Sequence, residues 1–154
     1  MLLRKAQKND IPSLLELLKQ VNLVHHIGRP DLFDLGTKYT ASQLEELLED
    51  TKRPVFVAEE DGKVLGYCFG ILEQILGDNI RTPVKTLYID DLCVDENVRG
   101  QGIGRMLYEY ALSYARKCGC YNLTLNVWAC NDDARYFYLS LGMQVQKYGM
   151  ETIL

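Results

Sequence analysis

The chain has 154 residues, enough for one compact domain and too few for two ordinary ones. Hydrophobic residues make up 47% and charged residues 25%, which excludes a disordered chain with too little apolar surface to bury. Seventeen Lys and Arg against 21 Asp and Glu leave a net charge of −4, the wrong sign for a general electrostatic grip on nucleic acid or an anionic membrane. No apolar stretch approaches the ~20 residues of a bilayer span. The N-terminal MLLRKAQKND has no apolar segment followed by a cleavage site, so a cytoplasmic protein with neither membrane nor nucleic-acid partner is expected. The five cysteines (68, 93, 118, 120 and 130) are odd in number, lack a framework spacing and read as reduced thiols.

Residues 2–6 predict a short strand, and Asn9-Asp10 with Pro12 in the first turn predict a helix start. Ile11, Leu14, Leu15, Leu18 and Val21 recur at intervals of three and four, giving that helix one apolar stripe. Residues 22–41, with His25, His26, Gly28, Pro30 and Gly36, read as a long connection. Ser42-Gln43-Leu44-Glu45 reads as a capping box for a short second helix that buries Leu44, Leu47 and Leu48. From Pro54 the period changes. Strands over 54–60 and 63–72 flank Asp61-Gly62, a hairpin turn, and residues 84–94 form the next strand. The loop Arg99-Gly100-Gln101-Gly102-Ile103-Gly104 runs straight into a helix that Gly119 ends. Residues 122–128 alternate as a strand, 131–140 form a last helix stopping at Gly142, and 143–148 and 150–154 read as two closing strands. The order β-α-α-β-β-β-α-β-α-β-β is that of an α/β domain over 1–154.

The glycine-rich loop carries the most chemistry. A helix N-terminus exposes about four unpaired N–H groups and a partial positive charge, so it attracts anions. Glycines at 100, 102 and 104 let a phosphate approach the backbone, and Arg99 adds a cation at the mouth. A P-loop needs Lys-Ser/Thr after its last glycine, and Arg105-Met106 stand there instead. The dinucleotide fingerprint needs G-x-G-x-x-G after an early strand, and this spacing is G-x-G-x-G two-thirds along the chain. A nucleotide-binding module is therefore the weaker reading of the loop.

Val94 followed by Arg99-Gly100-x-Gly102-Ile103-Gly104 resembles the acetyl-CoA-binding motif, R/Q-x-x-G-x-G/A, of the GCN5-related N-acetyltransferase (GNAT) family. Asn131-x-x-Ala134-Arg135-Tyr136-Phe137-Tyr138-x-x-Leu141-Gly142-Met143 is similar to that family's second element, one helix and one strand further on. The resemblance implies a mixed, mostly antiparallel sheet flanked by helices, with one splayed strand pair admitting acetyl-CoA, and direct acetyl transfer to a primary amine without metal. It implies that backbone N–H groups from Arg99 through Gly100, Gln101, Gly102 and Ile103 to Gly104 hold the pyrophosphate. It also implies that the strand end at Leu92, Cys93 and Val94 pairs with the pantetheine arm, that Asn131 contacts that arm, and that Tyr138 lies near the thioester sulfur. The acceptor implied is a small amine or polyamine, or a protein lysine or N-terminus. A catalytically silent acyl-CoA sensor or scaffold is the alternative.

Acetyl transfer to an amine needs proton removal from the acceptor, a donor for the oxyanion and a proton for the leaving thiolate. A phenol of pKa near ~10 suits the last task, which points to Tyr138. For the first, Asp90-Asp91 stand in an otherwise apolar strand, where carboxylates are costly to bury. Neighbouring strand residues face opposite sides, so both enter one cleft only if the strand bulges. In the polyamine-acetylating branch, which this stretch resembles, a carboxylate stands nine residues before the motif arginine, the place of Asp90. Asp90 reads as the base, directly or through water, or as a binder of a cationic substrate, or as a satisfied structural carboxylate. The Leu92 N–H is the oxyanion donor expected. His25 and His26 are adjacent, with no further histidine to complete a metal site. With Arg29, Asp31, Phe33, Asp90 and Asp91 they are candidate acceptor contacts by their placement in the family pattern. Cys118 and Cys120 read as packing residues, and no motif supplies a base to make Cys130 a nucleophile. A closing strand such as METIL can pair across a homodimer.

Overall fold

A computed structural model describes residues 1–154. Strand β1 (Leu2–Lys5) is followed by a 3-10 turn, α1 (Ile11–Gly28), α2 (Ala41–Glu49), β2 (Val55–Glu60), β3 (Lys63–Gln74) and β4 (Lys85–Val94). A second 3-10 turn leads into α3 (Ile103–Lys117), β5 (Asn122–Leu125) and α4 (Asp132–Ser140). The strands lie in chain order in one sheet, antiparallel from β1 to β4, with β4 and β5 parallel. A parallel pair needs a crossover, and α3 supplies it. The turn between β2 and β3 is the expected one: Asp61 and Gly62 both have positive φ, 51° and 78°.

Strand alternation divides the core in two. Val55, Val57, Tyr67, Phe69 and Cys93 face the leucines of α1 and α2. Phe56, Ala58, Cys68, Leu87 and Ile89 face Ile103, Leu107 and Ala111 of α3. A mixed, mostly antiparallel sheet between helices is thus realised. No helix is long and apolar enough to cross a membrane.

Four sequence expectations are corrected. The first helix runs on through His25 and His26 to Gly28 instead of giving way to a connection at residue 22. Its last turns escaped the pattern because Leu23, Val24 and Ile27 are exposed and add nothing to the apolar stripe. The capping box of α2 is Thr40 with Gln43, not Ser42 with Glu45: the Thr40 hydroxyl accepts from the Gln43 N–H, and the Gln43 side chain accepts from the Thr40 N–H. The strand expected over 122–128 pairs only to Leu125, where β4 bulges and its edge turns away. The two closing strands do not form. Beyond the Met143 N–H bonded to the Tyr138 carbonyl, residues 144–154 make no backbone hydrogen bond, since a strand without a neighbouring edge has nothing to pair with.

Candidate active site

The site begins with a register shift. Opposite Phe69 and Gly70, which pair with Asp91 and Ile89, β4 carries one extra residue, Asp90. The β4–β5 ladder runs from Thr86–Asn122 to Ile89–Leu125 and stops one residue short of that bulge. From Asp91 onward β4 has β3 on one side and no strand on the other. The Asp95 N–H donates to the Leu65 carbonyl at 2.8 Å, so Asp95, Cys93 and Asp91 turn their backbone toward β3. Leu92 and Val94 therefore turn their N–H and C=O groups into the gap beside β5.

Next to this edge lies the glycine-rich loop. Gly102 is the N-cap of α3 with φ +80°, a left-handed conformation that side chains rarely adopt, and nothing lies within 4 Å of where its Cβ would stand. None of the seven amides from Arg99 through Arg105, which include Gly100, Gln101 and Ile103, donates a hydrogen bond to backbone or side chain. Arg99 reaches back to the Val94 carbonyl at 3.3 Å, joining the loop to the strand edge. Gly104 has a separate reason to lack a side chain. A Cβ there would stand 3.0 Å from the ring of Phe137, so its absence lets α4 settle on α3.

The bulge also decides where the two acids point. Asp91 accepts from the buried Tyr67 hydroxyl at 2.8 Å, and Asp90 accepts from Lys38 Nζ at 2.7 Å and the Tyr39 hydroxyl at 3.2 Å. All these partners lie on the α1–α2 side, so both carboxylates share one face, the condition the sequence required. Burial pushes Asp91 up to about 6, against the pull of the Tyr67 hydrogen bond and Lys38. Although burial opposes it, the hydrogen bond to Asp90 holds the Lys38 ammonium pKa above its ordinary value. Tyr39 also accepts from Arg53 at 2.8 Å, so the acids sit in a chain of polar partners.

Tyr138 approaches from α4 on the opposite side of the sheet. Burial, then the Cys68 thiol and the Asp91 carboxylate, push its hydroxyl pKa upward, which keeps it protonated. Asn131 is the N-cap of α4: its Oδ1 accepts from the Ala134 N–H at 3.1 Å, so one of its polar atoms already serves the helix.

The candidate acceptor contacts on α1 divide. The His25 ring packs on Phe33 at 5.0 Å, and Phe33 meets Trp128 edge-on at 5.4 Å, bridging the end of α1 to the chain beyond β5. Burial and the nearby Lys38 lower the His25 pKa, favouring its neutral form. His26 is turned to the Phe33 carbonyl, 2.6 Å from its Nδ1. Arg29 is held by Asp31 and Glu151 and reaches neither acid. No group of three or more His, Cys, Asp and Glu could hold a metal. The sequence reading missed Lys38, Tyr39 and Tyr67. Lys38 lies 52 residues from the carboxylate it meets, and no local signal marks it.

Residues 21–143 match the model of the acetyltransferase (GNAT) family. The chain is 28% identical over 143 residues to a 5-NmdU N-acetyltransferase of Pseudomonas phage PaMx11, covering 92% of this chain and 86% of that one. It is 35% identical over 113 residues to the peptidyl-lysine N-acetyltransferase YjaB of Salmonella typhimurium, covering 72% and 65%. A crystal structure of a mutant BH1408 protein from Bacillus halodurans superposes with a TM-score of 0.96 at 35% identity, over 100% of this chain and 99% of that one.

Proposed function

The chain belongs to the GNAT family of N-acetyltransferases, and we propose that it moves an acetyl group from acetyl-CoA to the primary amine of a cationic acceptor bound at Asp90 and Asp91. The observation that carries this reading is the bulge at Asp90, which opens the sheet beside Leu92 and turns both acids to one face. Acetyl-CoA, when bound, supplies an activated acetyl thioester. The exposed polar edge of Leu92 and Val94 suits an extended amide arm, and the unpaired amides from Arg99 to Arg105 suit a pyrophosphate. The open space at Gly102 is the room such an anion needs.

On the acceptor side, an alkylammonium already sits 2.7 Å from Asp90, that of Lys38. This supports an acceptor of the same chemistry, a polyamine or a lysine side chain, which displaces Lys38. Asp91 is the base. An ammonium of pKa ~10.4 gives its proton uphill to a carboxylate, and raising the carboxylate by about 2 units removes roughly 3 kcal/mol of that climb. The Leu92 N–H is the donor available to the oxyanion, and the Tyr138 hydroxyl protonates the departing sulfur.

Thermal unfolding with acetyl-CoA, against ATP and NAD as controls, tests the donor. At ~100 times its Kd a ligand stabilises by about 2.7 kcal/mol, a rise of about 5–10 °C for a domain of this size. CoA-thiol release with diamines and lysine peptides, against anionic amino-sugar phosphates, tests the acceptor. No rise refutes the donor; faster turnover of the anionic amines refutes the acceptor.

A further inference from the structure

We infer that Lys38 is itself an acceptor: the chain acetylates the Nζ of its own Lys38 and thereby clears its acceptor site. The inference rests on the acetyl-transfer reading and names the first amine that the site meets. Of the nine lysines, Lys38 alone pairs with either candidate acid. Its Nζ stands 2.7 Å from Asp90 Oδ2, the place of a bound acceptor ammonium in that reading. The next residue sets this pose. The Tyr39 ring stacks on Phe69 at 5.9 Å, and Phe69 pairs with Asp91 in the sheet. The Tyr39 hydroxyl is tied to both Asp90 and Arg53. Before that anchor the backbone is loosely held: none of the amides from Asp34 to Tyr39 donates a hydrogen bond. A fastened neighbour thus delivers Lys38 to the site, and no amide bond of its own residue holds it back from the gap.

The pair blocks its own site, because an ammonium held by Asp90 keeps other cations out. Lys38 has a flexible stem and a half-exposed side chain, so its Nζ can swing from Asp90 toward the gap beside Leu92. As it does so, one ammonium proton passes to Asp91, and the bared amine attacks the thioester carbonyl of bound acetyl-CoA. The N–C bond forms and the C–S bond breaks. The nitrogen's second proton replaces the one that Tyr138 gives to the departing sulfur, and the Asp91 proton is lost to water. CoA leaves as the thiol, and Lys38 remains as a neutral amide. That amide has no charge to pair with Asp90, so the carboxylate is released to a cationic acceptor. The reaction runs once per chain and converts an occupied site into an open one.

Incubating the full chain with acetyl-CoA and no acceptor should add one acetyl group, read by intact mass and placed on Lys38 by peptide mapping. The rate per chain should be independent of protein concentration, as a reaction within one copy requires. Tyr138→Phe should slow it by about 10²–10⁴. Unassisted acetylation would ignore that substitution and mark the exposed Lys8, Lys19 and Lys63 as readily. A saturating diamine should protect Lys38 by displacing it from Asp90, and Lys38→Arg should take up no acetyl group. In initial rates, chain acetylated beforehand should have a several-fold lower KM for a diamine than untreated chain. An acetyl-CoA thermal shift with Lys38 left unmodified overturns this inference alone. So does modification that spreads over the exposed lysines or survives Tyr138→Phe undiminished. Absence of the thermal shift removes the acetyl-transfer reading, and this inference with it.

Discussion

Replacing Asp91 by Asn should make the protein more stable and nearly inactive, with a pH dependence that follows from one titration. The carboxyl is pushed from 3.8 to about 6 in the fold. A carboxylate with a raised folded pKa favours the folded state while protonated, and loses that advantage as pH rises through the folded value. Its ionised form is therefore a burden at neutral pH, by about 2 units or roughly 3 kcal/mol at pH ~8, shrinking to about 1 kcal/mol at pH ~4.5. Asn has a similar shape, can still accept from the Tyr67 hydroxyl, and carries no charge to desolvate. At about 2–4 °C per kcal/mol, Asp91→Asn should melt about 6–12 °C higher than the parent at pH ~8, with most of that gap gone at pH ~4.5. Loss of a general base should lower kcat by about 10²–10⁴. The parent's kcat/KM should fall tenfold per unit below pH ~6, and the variant's residual rate should lack that limb. Melting curves at both pH values and a pH–rate profile test this together. A variant no more stable than the parent at pH ~8, or one that keeps the acid limb, refutes Asp91 as the strained base.

Lys38→Met should lower KM for a cationic acceptor several-fold, because the resident ammonium no longer competes for Asp90. It should also move the acid limb of kcat/KM to higher pH, because Lys38 pulls the Asp91 pKa down; a KM that rises counts against displacement. Tyr138→Phe should cut kcat by about 10²–10⁴ while calorimetric acetyl-CoA affinity changes little, and an unchanged kcat removes Tyr138 as the proton donor. Gly102→Glu should abolish the acetyl-CoA thermal shift while the protein stays folded, at about 1–2 kcal/mol for the left-handed conformation. Retained tight binding would move the pyrophosphate elsewhere.

The glycine-rich loop was legible because glycine dictates backbone conformation locally: Gly100 and Gly102 do take positive φ, and the helix begins at Ile103. The hairpin at Asp61-Gly62 was legible for the same reason. Asp90-Asp91 could be flagged as two charges in an apolar strand. Their common face could not be derived, because the bulge depends on pairing with Phe69 and Gly70, about twenty residues away. Lys38 and Tyr39 were hidden inside what read as a long connection, since their role arises only when residues 37–40 come against the Asp90 carboxylate of β4. The last turns of α1 were missed because Leu23, Val24 and Ile27 face water, where periodicity carries no burial signal. The arm at 143–154 was read as two closing strands and forms neither, because a strand is defined by its neighbour, and the neighbour is not encoded in the segment itself.

The opening in the sheet is, finally, a matter of counting. Strand β4 is one residue longer than the path its neighbour measures out, and that surplus residue is Asp90. Substituting its side chain changes the chemistry at the surface of the gap. Deleting the residue would do something different: the pleat would become regular, β5 could pair onward past Leu125, and the cleft would close with every other side chain still present. Length at this point of the chain is therefore under tighter constraint than identity, and natural variation should tolerate exchange of Asp90 more readily than its loss.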